Sequence, residues 1–244
     1  MIVTTGNEVS ERPIAKCPGL VTRHRRACPD DRAGTMNNTN LWDATWNTWL
    51  PFLALVGPLS LFLASLLLNM GVGVMPDKTY VNSSHEGFLM TLGAPFFVAT
   101  FTFLGRTIAE RYLKVGILVT VLGILGAASL VFLSSMRLLQ KAYIDSGFDS
   151  STVWAAWDNV SVWHTPLLLQ NVAAPLAFII GGIALMRTTF APKWVGLLMA
   201  ICFPAIAAGQ LLNAMSIAWT IGTALMTVAF WGLVRASQRD RSGA

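Results

Sequence analysis

Ten residues supply the polar and ionisable groups with which this chain could hold a small molecule. They are Asn69, His85, Glu86, Arg137, Asp158, His164, Gln170, Asn171, Gln210 and Asn213. Amides donate and accept at once, a guanidinium presents a fixed fork of donors, and a carboxylate accepts only. The set therefore suits recognition: Arg137 for an anionic group, Glu86 or Asp158 as its counter-charge, and the amides to orient the ligand. Its placement is unusual, because every member lies at or near one end of a long apolar run. His164, Asn171 and Pro175 recur at i, i+7 and i+11, on one face of a helix, and Gln210 and Asn213 recur at i, i+3. Asn171 lies about 10 Å along such a helix from His164. An amide at that depth, facing lipid without a partner, costs roughly 2–7 kcal/mol. The stripe must therefore face protein or water.

Two arrangements satisfy it. Amides can pair between helices as glue, worth about 0.6 kcal/mol on average. Alternatively, they line a cavity open to one side of a membrane. The ionisable groups at the same level, His85, Glu86, Arg137, Asp158 and His164, favour the cavity. His85, Glu86 and His164 could also ligate a divalent metal, and the two histidines could hold a haem axially. No cofactor is predicted from a motif, however, since the His85-Glu86 pair lacks the downstream histidine of a zincin helix. Cys17, His24 and Cys28 lack a fourth ligand and close pairing for zinc. With no GxSxG, no P-loop and no paired acids at mid-span, no catalytic residue is assigned.

The elements that position these groups follow from composition. Only 12% of the 244 residues are charged and 54% are hydrophobic, whereas a soluble domain carries about 25% charge. Apolar runs of about 20 residues, enough to cross the hydrocarbon core as helices, recur along the chain. Six are read, at roughly 50–71, 88–106, 114–136, 165–187, 194–213 and 216–235. The expected fold is an all-α polytopic membrane bundle with six transmembrane helices over 50–235.

Lys and Arg set the orientation. One set of connections and ends holds Arg12, Lys16, Arg23, Arg25, Arg26, Arg32, Arg106, Arg111, Lys114, Arg187, Lys193, Arg235, Arg239 and Arg241; the other holds Lys78, Arg137 and Lys141. Both termini are therefore expected in the cytoplasm, in an inner (plasma) membrane, with the polar groups at the outer end. The net charge of +5 reflects this asymmetry and not nucleic-acid binding; the expected partner is the lipid bilayer.

Residues 1–40 read as a disordered basic cytoplasmic tail, and Met36 is an alternative start to Met1. Residues 41–49 read as an interfacial amphipathic segment, because Trp42, Trp46 and Trp49 share a helical face. Trp154, Trp157 and Trp163 suggest a second interfacial helix in the connection 138–164. Residues 236–244 form a short cytoplasmic tail. Pro58, Pro95, Pro175 and Pro204 fall in spans one, two, four and five, and GPLSLFLASLLL parallels APLAFIIGGIAL. A 3+3 inverted repeat explains both features; simple tolerance of proline in membrane helices explains the first.

The six spans, the long third connection and the inner turn RTTFAPKWVG, with Pro192, Trp194 and Gly196, resemble a family of small bacterial six-helix integral membrane proteins of unknown function. That resemblance implies no activity. The leading expectation is an outward-facing polar site for a small ligand, used in transport or sensing. The alternatives are a structural or auxiliary subunit packed on other membrane proteins or on its own copies, and a metal- or haem-binding membrane enzyme using His85 and His164.

Overall fold

The computed structural model describes the backbone of residues 38–75, 82–149, 152, 161–212 and 214–242; the side chains of 38–45, 47, 75, 82, 161–171, 210 and 240–242 are outside the described set. The elements are α1 (Asn38–Asn69), β1 (Val74–Met75), β2 (Asn82–Ser83), α2 (Ser84–Gly93), α3 (Phe96–Ala109), α4 (Leu113–Asp145), α5 (Ser161–Met186), α6 (Lys193–Leu211) and α7 (Met215–Ser242). Among the described residues the regular structure is helical, apart from one short antiparallel pairing of Val74 with Ser83 and Met75 with Asn82.

Among the described residues three helices are long and apolar enough to cross a membrane: Thr48–Asn69 within α1, all of α4, and Met215–Arg239 within α7. The expected second span is two helices, α2 and α3, bent by 48° at a short break. Pro95 falls at the break: it has no N–H to donate to the carbonyl one turn back, while Ala94 before it keeps helical backbone. The described apolar parts of α5 and α6 are shorter, Val172–Met186 and Lys193–Gly209.

Two expected boundaries differ. Residues 41–49 do not form a separate surface helix but open α1, which runs unbroken through Pro51 and Pro58. Trp46 and Trp49 are exposed on its surface. The helix α4 runs on to Asp145, so the first part of the connection 138–164 continues that span and carries a Lys141–Asp145 ion pair one turn apart. Residues 1–37, Asp158, and the cap tryptophans Trp154 and Trp157 lie outside the described residues.

The helices form a closed ring. Each packs on its neighbours in the chain, with α1 against α2 and α3, α4 against α5, α5 against α6 and α6 against α7; α7 then returns to α1. Hydrocarbon tails are as apolar as leucine, so close backbone approach must hold such a ring together. Glycine provides it at two crossings. A Cβ on Gly182 would lie 2.5 Å from the Gly196 carbonyl and the reverse holds at 2.5 Å. Gly105 and Gly116 meet in the same reciprocal way between α3 and α4.

Proline is accommodated by a neighbour. Pro58 cannot donate to the carbonyl one turn back, at Ala54, and the buried Thr100 hydroxyl of α3 donates to that carbonyl instead, at 2.9 Å. Side-chain hydroxyls commonly resatisfy carbonyls freed in this way. Phe101, Phe178 and Phe230, all fully buried, knit α3, α5 and α7 at the centre, with Phe178 edge-on to Phe101 at 5.0 Å and to Phe230 at 5.9 Å.

Candidate functional site

One end of the ring gathers the polar residues. It is formed by the end of α1, the β pairing, the start of α2, the end of α4 and the start of α7. The opposite end carries Arg106, Arg111, Lys114, Arg187, Lys193 and Arg235, all exposed.

Asn69, at the last turn of α1, is an interhelical tie. Its amide nitrogen donates to the Ser65 carbonyl at 3.0 Å, the Ser216 carbonyl at 2.9 Å and the Thr220 hydroxyl at 2.5 Å. Deeper along the helix the α1–α7 seam continues with Ser65 Oγ against Thr223 Oγ1 at 3.0 Å and Thr227 Oγ1 donating to the Pro58 carbonyl at 3.0 Å. Asn69 thus serves the seam between the first and last helices.

The next residues are positioned by the start of α2. Ser83 caps that helix, accepting from the Glu86 amide at 3.4 Å while its hydroxyl donates to the Val72 carbonyl at 2.5 Å. His85 then points outward and is exposed, its Nδ1 3.4 Å from the Ser84 hydroxyl. Glu86 turns inward and is fully buried. Gly87 lets α2 approach α4 closely here, since a Cβ on it would fall 2.9 Å from the Arg137 Cβ. Across that contact Arg137 Nη1 reaches Glu86 Oε1 at 2.5 Å and Met90 Sδ at 3.0 Å. The pair is electrostatic more than directional: neither Glu86 oxygen accepts a well-aligned hydrogen bond among the described residues.

Arg137 also lines a half-open cavity of about 720 Å³ between the helices. Six of the seven described helices contribute: Leu61 from α1, Phe97 and Phe101 from α3, Ala127, Leu130, Leu133 and Arg137 from α4, Pro175 and Phe178 from α5, Phe203 and Ile206 from α6, and Trp219 from α7. Phe97, Phe101, Phe178 and Phe203 are its aromatic lining. Of the described lining side chains only Arg137 and Trp219 carry an N–H donor. The Trp219 indole nitrogen is buried and has no partner among the described residues.

Of the ten expected site residues, the structure brings Asn69, His85, Glu86 and Arg137 to one end, and of these four described side chains Arg137 lines the cavity. His164, Gln170 and Asn171 on α5 and Gln210 on α6 have side chains outside the described residues, as do Asp158 and Asn213 altogether. The α4–α5 crossing, where a Cβ on Gly126 would meet Ala174 and one on Gly181 would meet Val119, is antiparallel, so the first turns of α5 run level with Arg137. Sequence reasoning missed Trp219 among the lining residues, because it sits in an apolar run like any lipid-facing residue. Among the described residues no three metal-binding side chains come together.

No family model, curated protein or solved structure matches the chain.

Proposed function

We propose that the protein is a six-span bundle of the inner membrane, with both termini in the cytoplasm, which binds a small ligand in the cavity at its outer end for transport or sensing. The observation that carries this reading is the cavity itself. Its volume, about 720 Å³, falls within the range of small-molecule sites, and it has their character: apolar walls with a few placed polar groups.

Helix lengths support six spans. The 26 residues of α5 and the 19 of α6 reach about 39 Å and 28 Å at 1.5 Å per residue, close to the thickness of the hydrocarbon core. The bent α2–α3 pair completes the second span. The exposed basic residues at the end opposite Glu86 and Arg137 support a cytoplasmic placement of that end. Two up-down-up halves of three spans have opposite orientations, which agrees with an inverted repeat, and the proline positions support the same division.

Mass spectrometry of molecules extracted from the gently purified protein tests the reading. Ala127→Phe, which fills the cavity from α4, should fold yet lose a small molecule that the wild type retains. Identical extracts from the two proteins would overturn the ligand site. Reporter fusions after Arg111 and Gly196 should read cytoplasmic and one near Ser150 external; opposite labelling would overturn the orientation.

A further inference from the structure

At the basic end of the ring, α6 begins beside the last turns of α7. The two helices run antiparallel, and Trp194 in the first turn of α6 lies across their seam: a Cβ on Gly232 of α7 would fall 2.4 Å from its indole ring. One turn further along α7, Arg235 stacks on the Trp231 ring, its guanidinium carbon 3.9 Å from the ring centre. Trp194 and Trp231 are exposed, as are Lys193 and Arg235. The first turn of α6 holds no acidic residue, so its leading N–H groups add partial positive charge beside the two cations.

Toward mid-span the same surface turns apolar. Trp194 and Ile201 share one face of α6 at i, i+7, and Val228 and Arg235 share one face of α7 at the same spacing. Ile201 and Val228 are exposed. The seam between the helices stays closed along this stretch, since a Cβ on Gly222 would meet the Cys202 carbonyl at 2.7 Å. About 10 Å of apolar surface therefore leads from Trp194 to Ile201. A free anion complements only the cationic end of that surface, whereas a phospholipid complements all of it. Tryptophan favours the interfacial level, and basic pockets between membrane helices suit anionic head groups. We infer that the α6–α7 seam binds an anionic phospholipid, its phosphate at Lys193 and Arg235 and an acyl chain along Ile201 and Val228. The site is separate from the cavity and does not depend on a ligand there.

Native mass spectrometry of the full chain in mild detergent tests this, with phosphatidylglycerol and phosphatidylcholine of matched acyl chains. Phosphatidylglycerol should bind one to one and about 25-fold more tightly, because each of two basic residues near the surface is worth roughly a factor of five. The double variant Lys193→Gln/Arg235→Gln should remove that preference. Arg111→Gln/Lys114→Gln takes two charges from the same end, around the α3–α4 turn, and should leave it intact. Excess inorganic phosphate should displace no more lipid than chloride at the same ionic strength. Equal binding of the two lipids by the wild type would overturn the inference. So would an equal loss of preference in both double variants, which marks a diffuse charge effect, or displacement by phosphate, which marks a site for a free anion. The lipid comparison and the phosphate competition use the wild type alone, so a misfolded variant does not rescue the idea.

Discussion

Glu86 and Arg137 face each other at 2.5 Å across the α2–α4 contact, the carboxylate side chain 1% exposed and the guanidinium 26%. One partner is sealed between helices while the other looks into the ring. That asymmetry makes Glu86 the electrostatic background of the cavity and Arg137 the face shown to a ligand.

Removing only Arg137 should be costly. Arg137→Met leaves a buried carboxylate without its counter-charge, a loss of about 3–5 kcal/mol. The double variant Glu86→Leu/Arg137→Met should recover to within about 1 kcal/mol of the wild type, because apolar replacement of a whole buried pair is often neutral. Denaturation in mild detergent measures both. A double variant no more stable than the single one would show that the pair is not coupled.

Thr100 and Pro58 should also be coupled, through the Ala54 carbonyl. Thr100→Val keeps the shape but leaves that carbonyl unsatisfied, at about 1–3 kcal/mol. Adding Pro58→Ala restores an N–H one turn on from Ala54 and should recover much of the loss. Equal destabilisation by Thr100→Val with Pro58 present and with Pro58→Ala already made would contradict this account of the proline.

At the α5–α6 crossing even one methyl group is too large. Gly182→Ala places a carbon 2.5 Å from the Gly196 carbonyl, and the helices must separate at a cost of about 1–3 kcal/mol. Thermal unfolding and the elution volume report it. Wild-type stability in this variant would mean that the two helices do not cross so closely.

Asn69 should matter modestly and locally. Asn69→Ala removes the tie from α1 to Ser216 and Thr220 and should cost about 0.6 kcal/mol, the average for interhelical polar contacts in membranes. Retention of a small molecule in the cavity should be unchanged. A large fall in ligand affinity would return Asn69 to the ligand site expected from its sequence position.

Much of the architecture was legible because hydropathy is local. A run of apolar residues declares a helix for lipid wherever its neighbours lie, so the ends at Asn69, Leu113 and Met215 could be read within two residues, while each of α1, α4 and α7 runs on beyond its expected other end. The concentration of polar groups at one end was equally plain, since amides and charges are confined to helix ends unless something inside receives them. The α2–α3 break was visible only as Pro95, whereas the prolines within α1 and α6 split neither helix in two; the backbone partners available at each site decide that difference.

Pairing was not legible. Lipid is as apolar as a leucine-rich helix face, so the hydrophobic pattern does not say which helix meets which. Only the tertiary structure closes α7 onto α1, sets Asn69 to tying that seam, and brings Glu86 from α2 to Arg137 on α4. It alone shows that, at the described positions, the cavity beneath the polar end is walled largely by phenylalanine, leucine and alanine, with Arg137 among them. The reason is geometric. A ring of helices faces side chains inward from each member, and whether those meet as a packed core or leave a space depends on volumes summed across chain segments far apart in sequence.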